Sequence, residues 1–272
     1  MNATLEDTIL LAGAGRMGGA LLEGWLALGV PGSRITVLDP SPSTSVRARC
    51  AEHGVTLNPA TAFPVDTVLL AVKPQIFDAA APAIEAWAGP GTVVVSIVAG
   101  KTLANLTARF PRASAVVRAM PNLPAAVGRG ITGLLPGEAL SERASVGVAR
   151  WLEAVGRVEW LSCERDLDIV TAVSGSGPAY VFLLAEALGR AAEQAGLSAN
   201  LAGRLSRATV EGAGELMHRS PDLAPAELRQ NVTSPGGTTA AALAVLMADD
   251  ALQPLLDRAV DAAFRRAREL SG

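Results

Sequence analysis

Between an apolar run, Thr8 to Ala12, and an amphipathic helical pattern from Met17 to Leu28, the chain reads Gly13-Ala14-Gly15-Arg16-Met17-Gly18. Glycines at this spacing permit a tight strand-to-helix turn, close approach of backbone N–H groups to a ligand, and packing of the helix on a sheet. In this context G-x-G-x-x-G points to a dinucleotide diphosphate held at a helix N-terminus. Packing alone also produces such turns; the flanking elements and the next strand, Arg34 to Leu38, favour the ligand. That strand ends on Asp39, where a carboxylate accepts hydrogen bonds from ribose hydroxyls and repels a 2′-phosphate. NADH is thereby favoured over NADPH, although Ser41, Ser43 and Arg47 follow closely enough to receive a phosphate. A turn carboxylate beside Pro40 is the plainer alternative.

The first 160 or so residues alternate short β-branched runs with helical patterns, as in a parallel sheet wound by helices. Further strands are expected at Thr67–Val72, Thr92–Val98, Ala113–Arg118 and Arg157–Leu161, and helices at Ser43–His53, Ile76–Ala88, Leu103–Arg109 and Ser141–Val155. Beyond Cys163 only helical patterns remain: Ala179–Ala195, Leu201–His218, Pro225–Val232, Thr238–Met247 and Leu252–Leu270. The expected fold class is α/β, with a Rossmann-type, doubly wound, mostly parallel sheet over residues 1–163 and an all-helical domain over 164–272. Ser174 to Gly177 offers cap residues before Pro178, which suits a first helical turn. Ligands of such sheets bind beyond the carboxyl ends of the strands. Val72-Lys73-Pro74 and Ala119-Met120-Pro121-Asn122 are therefore expected beside the cofactor, with Lys73 near ribose or phosphate and Met120 and Asn122 near the nicotinamide. A solvated lysine and an ordinary turn are the alternatives.

A second constellation precedes the apolar helix AAALAVLM: Val232-Thr-Ser-Pro-Gly-Gly-Thr-Thr239. Two glycines and two threonines at a helix N-terminus present free N–H donors, hydroxyls and the positive end of the dipole, which suits a small carboxylate. Simple capping needs only one such residue. The catalytic repertoire is narrow, since lysine occurs only at Lys73 and Lys101, and the helical domain holds one histidine, His218, and one tyrosine, Tyr180. Arginine is no substitute for a lysine base. Leu184 stands where a Tyr-x-x-x-Lys pair would place its lysine. Reduction of a C=N bond asks for less, because the imine nitrogen takes a proton from solvent and one hydroxyl donor beside it suffices.

Half of the 272 residues are hydrophobic and only 18% are charged, which excludes disorder and points to surface covered by another copy of the chain. Net charge is −3 and no basic tract exceeds Arg265-Arg266, so no nucleic-acid partner is expected. Cys50 and Cys163 lie far apart, which implies neither a disulfide framework nor a thiolate metal site, and no metal is assigned. The opening MNATLEDTILLAGAG lacks a basic region, no uninterrupted apolar run reaches about 18 residues, and a cytoplasmic protein without membrane association is expected.

The segments GAGRMG, AVKPQ, RAMPNLPAAVGRG, TAVSGSGPAYVFLLAEAL and ELRQNVTSPGGTTAAALAVL, in this order over almost the whole chain, resemble the pyrroline-5-carboxylate reductase family. The resemblance implies NAD(P)H-dependent reduction of L-1-pyrroline-5-carboxylate to L-proline, the last step of proline biosynthesis. It implies helical domains that interlock in a homodimer, extended in some members to a ring of dimers. It assigns the substrate carboxylate to Ser234, Gly236, Gly237 and Thr238, and the hydroxyl facing the imine nitrogen to Thr239. Family members often place other residues at the end of the second strand, so Asp39 is a departure that bears on NADH against NADPH. Rival readings are a reductase of another cyclic imine or a 3-hydroxy acid, and a dinucleotide sensor without turnover.

Overall fold

Strand residues that are buried on both faces read as continuous apolar runs, and that is how the central strands of this chain are written. The computed structural model describes residues 7–271. In chain order they form β1 (Ile9–Ala12), α1 (Arg16–Ala27), β2 (Ile35–Leu38), α2 (Thr44–His53), β3 (Thr56–Leu57), β4 (Thr67–Leu70), α3 (Phe77–Glu85), β5 (Val93–Ser96), α4 (Leu103–Arg109) and β6 (Ala115–Met120). There follow β7 (Gly130–Pro136), α5 (Glu142–Glu153), β8 (Gly156–Trp160), α6 (Glu164–Val170), a π-helical turn over Thr171–Gly175, α7 (Gly177–Gln194), α8 (Ala199–Arg219), α9 (Pro225–Asn231), α10 (Thr238–Leu246) and α11 (Leu252–Ser271).

The eight strands form one sheet in the order β3-β2-β1-β4-β5-β6-β7-β8. Pairing is parallel from β3 through to β6; β7 then runs antiparallel to β6, and β8 parallel to β7. This is the expected doubly wound, mostly parallel sheet. Side chains alternate across it with period two. Ile9 and Leu11 point into one core with Leu21, Trp25 and Trp151, and Leu10 and Ala12 into the other with Phe77, Trp87 and Phe110. The Trp25 and Trp151 rings meet edge to face at 5.1 Å, and Trp25 Nε1 donates to the Trp151 carbonyl at 2.5 Å, fastening α1 to α5. Local signals agree: Ser43 and Ser141 accept from the third residue onward at the starts of α2 and α5, and Gly54 closes α2 in the left-handed region at φ 68°.

Every expected strand and helix is present within a few residues. Two strands and one helix go beyond the expectation. β3 has only two residues, too few for periodicity to show. β7 reads as a loop because Gly130, Gly133 and Pro136 interrupt it, yet Gly133 is required there. A Cβ at Gly133 would lie 3.0 Å from both Leu161 and Val170, so the glycine lets α6 settle on the sheet. The expected caps before Pro178 are also corrected. Ser176 precedes α7 in helical conformation without a side-chain bond, while Thr171 Oγ1 and Ser174 Oγ turn back to the carbonyls of Leu167 and Val170, at 2.8 and 3.0 Å. The helical path enters a π turn here instead of starting afresh, so no cap is needed.

By compactness the chain divides into one unit that runs to Gly175 and includes the chain from Ala263 onward, and a second unit, Ser176–Ala262. The helical content begins near residue 164 as expected, but α6 belongs with the sheet. Leu167 is fully buried, and Glu164 accepts from the Leu103 N–H at 2.7 Å and pairs with the buried Arg118. In the second unit α7 packs on α8 where Gly189 leaves 3.2 Å between a would-be Cβ and Ser206 Oγ, over the fully buried Ala202. Most other apolar side chains of this unit face outward, among them Phe182, Leu183, Leu184, Leu216 and Val245. One stretch within Glu164–Gln194 is long and apolar enough, by composition, to cross a bilayer. Valine, leucine and alanine raise its average although glycines and polar residues interrupt it, which is why no unbroken run is visible in the sequence.

Candidate functional site

Neighbouring strands β2, β1, β4, β5 and β6 end in register, Ala12 beside Leu38 and Leu70, and Leu70 beside Ser96. The segments that follow them therefore gather along one edge of the sheet. Gly13–Gly18, Asp39, Val72–Lys73 and Met120–Asn122 all leave from this edge. The sheet order reverses direction between β1 and β4, which is where doubly wound sheets open a crevice for ligands.

The three glycines of the loop are unequal. Gly13 has φ +94°, and a Cβ there would sit 2.7 Å from the Ala71 carbonyl oxygen, so the loop touches the segment after β4 at this point. A Cβ on Gly18 would collide with the Gly13 carbonyl oxygen. Gly15 is exposed with no heavy atom within 4 Å of its would-be Cβ, and it is the N-cap of α1 with no side chain closing the helix. Free space and uncapped first-turn N–H groups coincide where a diphosphate needs both, so the residues present fit a dinucleotide. Arg16 lies exposed at the first helical position, and Met17 packs partly on the core. Beside the loop a cavity of about 420 Å³ opens against α2, lined by Ala14, Gly15, Arg16, Ser43, Ser45 and Arg49 among others.

Asp39 is tied into this loop. Its Oδ2 accepts from the Ala14 N–H at 2.8 Å and its Oδ1 from the Ser41 N–H at 2.8 Å. Val72 is half-buried and Lys73 exposed at the start of a short 3-10 turn. Asn122 has its side chain consumed internally, donating to the Ser174 carbonyl at 3.2 Å and accepting from the Ile131 N–H at 3.0 Å. Its amide holds the loop after β6 on the π turn, and Met120 ends β6 half-buried beside it. Arg47 directs Nε to the Pro42 carbonyl at 3.2 Å.

In the second unit, Ser234-Pro235-Gly236-Gly237 closes a tight turn, with the Gly237 N–H donating to the Ser234 carbonyl at 3.1 Å and Gly236 at φ +70°. Proline then glycine at the central positions is the signature of a type II turn. Gly237 is the N-cap of α10 and no side chain caps the helix. Neither Ser234 nor Thr238 performs the capping role offered as the plainer reading. Among the described residues the Thr238 and Thr239 hydroxyls have no hydrogen-bond partner, Thr238 exposed and Thr239 half-buried. His218 is exposed in the last turn of α8. Among the described residues no group of three or more His, Cys, Asp or Glu side chains is placed to hold a metal ion.

Residues 164–270 match the family described as pyrroline-5-carboxylate reductase dimerisation, and residues 8–100 the family described as NADP oxidoreductase coenzyme F420-dependent. A pyrroline-5-carboxylate reductase of Pseudomonas aeruginosa is 40% identical over 265 residues, covering 97% of this chain and 96% of that protein. The chain belongs to the pyrroline-5-carboxylate reductase family. A solved reductase of this family from Coxiella burnetii superposes with a TM-score of 0.88 at 35% identity, covering 98% of this chain and 99% of that one. Another, from Plasmodium falciparum and solved with NADP bound, gives 0.78 at 26% identity over 99% and 100% of the two chains. The outward apolar side chains of the second unit lie inside the family's dimerisation region, which fits a surface made to meet another copy. What the sequence reading missed is Asn58, which brackets the Asp39 backbone; its only signal is an asparagine before Pro59 at a strand end.

Proposed function

We propose that this protein reduces L-1-pyrroline-5-carboxylate to L-proline with NAD(P)H, the last step of proline biosynthesis. The observation that carries the reading is the uncapped α10 N-terminus behind the Ser234–Gly237 turn, found in a member of this family. The N–H groups of the first turn, with the hydroxyls of Ser234 and Thr238 and the open backbone at Gly236 and Gly237, hold the substrate carboxylate. Thr239 donates its O–H to the imine nitrogen, which aligns the ring and stabilises the amine as it forms. A proton from solvent completes the N–H bond while the imine carbon is reduced, so no lysine base is required. When bound, the reduced dinucleotide supplies the hydride. Gly13, Gly15, Arg16, Met17 and Gly18 receive its diphosphate, Asp39 the adenosine ribose, and Val72, Lys73, Met120 and the backbone at Asn122 the nicotinamide half.

Asp39 supports NADH over NADPH, because a fixed carboxylate repels a 2′-phosphate. The sheet unit serves as the cofactor domain, and the helical residues from 164, most of them in the unit Ser176–Ala262, serve the substrate and dimerisation. The apolar surface of α7 and α10 is covered by a second copy of the chain in a homodimer, open to further assembly into a ring of dimers, and two cysteines that form no disulfide suit a cytoplasmic enzyme.

The deciding experiment incubates purified protein with L-1-pyrroline-5-carboxylate and NADH or NADPH, following dinucleotide oxidation and proline together. Stoichiometric proline formation is expected with either cofactor, faster with NADH. Cofactor binding without turnover would overturn the reading in favour of another imine or a dinucleotide sensor.

A further inference from the structure

Asp39 is gripped at its backbone as well as at its carboxylate. Its N–H donates to Asn58 Oδ1 at 2.9 Å, and its carbonyl accepts from Asn58 Nδ2 at 2.8 Å. Asn58 is in turn anchored by its own N–H to the Val37 carbonyl at 2.8 Å, and it is the one non-glycine residue with positive φ among the described residues, at 50°. Asparagine tolerates that conformation better than most residues. The two side-chain bonds fix the peptide groups on both sides of Asp39, and the Ala14 and Ser41 amides fix the carboxylate. With both ends of the residue held, the carboxylate cannot swing aside. Each oxygen keeps a lone pair for a ribose hydroxyl. A 2′-phosphate, with nearly two negative charges, meets a carboxylate that cannot retreat.

We infer that Asn58 is a positioning residue for cofactor choice: by clasping the backbone of Asp39 it holds the carboxylate in place, and so sets the discrimination between NADH and NADPH. This rests on the reading of the chain as a nicotinamide-dependent reductase. The clasp places the selecting element immediately after β3, the short strand at the sheet edge.

The test is Asn58→Gly, which keeps a residue at ease with positive φ and removes only the side-chain bonds. Dissociation constants for NADH and NADPH are measured separately by fluorescence titration without imine, alongside the KM for L-1-pyrroline-5-carboxylate. The expected result is an NADH constant raised about five- to tenfold, the size of one hydrogen bond's net contribution, with the NADPH constant changed less than about twofold and the imine KM unmoved. The same substitution in an Asp39→Ala background should leave the NADH to NADPH ratio where Asp39→Ala alone puts it, because Asn58 acts through that carboxylate. An equal loss for both cofactors, no change, or a shift that persists without the Asp39 carboxylate would each overturn the proposal. Because the titrations need no turnover, a wild-type protein that binds dinucleotide yet fails to reduce the imine would sink the functional reading and leave this one to be judged on its own.

Discussion

A Cβ on Gly18 would fall on the carbonyl oxygen of Gly13, whereas one on Gly15, in the same loop, would meet no heavy atom within 4 Å. The loop thus contains two glycines that the fold needs, Gly13 and Gly18, and one, Gly15, that the packing does not account for.

Alanine at the two positions should separate these roles. Gly18→Ala is expected to destabilise the protein by about 3 kcal/mol, read as a lowered thermal midpoint. Gly15→Ala should leave the midpoint close to wild type and weaken dinucleotide binding by about tenfold or more, because the added methyl fills the space where the diphosphate approaches the α1 amides. Equal thermal losses would contradict the assignment.

Thr239→Ala is expected to lower kcat by roughly ten- to a hundredfold, the effect of losing one donor to the reacting group, with NADH binding preserved. Thr239→Ser, which restores a hydroxyl, should recover most of the rate. Near-normal turnover in the alanine variant would remove Thr239 from the chemistry.

Asp39→Ala should shift preference toward NADPH. NADH affinity is expected to fall in absolute terms as well, since the carboxylate also holds the Ala14 N–H. Titration of both cofactors reads the two effects separately, and an unchanged ratio would mean that Asp39 serves the loop alone.

Asp168 lies beside the Arg118–Glu164 pair on α6. Burial raises its carboxyl pKa; Arg118 pulls it down, Glu164 pushes it up and Arg268 pulls it down, with the net shift upward. A raised folded-state pKa means stability that is fully present below the unfolded value, about 3.9 for an aspartate, and lost as pH rises through the folded one. Asp168→Asn should therefore be the more stable protein at pH 7, and the gap should close as pH falls toward 4. A gap that widens on acidification would reverse the sign argued here.

Phe182 on α7 is 61% exposed. Placing a charge there, as in Phe182→Asp, should convert the oligomer to monomer in analytical ultracentrifugation, because an unpaired carboxylate would be desolvated in the interface. An unchanged mass would put the interface elsewhere on the second unit.

Much of this was written in the chain. The parallel strands were legible because they are buried on both faces, and the glycine loop because strand, turn and helix signals converge on six residues. The uncapped start of α10 was legible as two glycines and two threonines before an apolar helix. What was hidden depends on partners far off in sequence. Asn122 was read as a cofactor contact, yet its amide is engaged by Ser174 and Ile131. Gly133 interrupts a strand because Leu161 and Val170 press on it from outside. Asn58 carries only the faint signal of an asparagine before Pro59, since its meaning comes from Asp39 at the end of the neighbouring strand.

The return of the chain to the cofactor unit at Ala263 bears on how the protein is made. All eight strands of the described residues have been synthesised once Trp160 is added, but the segment that packs its Leu270 carbonyl against Gly100 comes only after the whole helical unit. Domains commonly fold as units during synthesis, N-terminal first. Here the first unit to begin is the last to be finished, since the segment that reaches Gly100 is added only after the helices of Ser176–Ala262 have been translated.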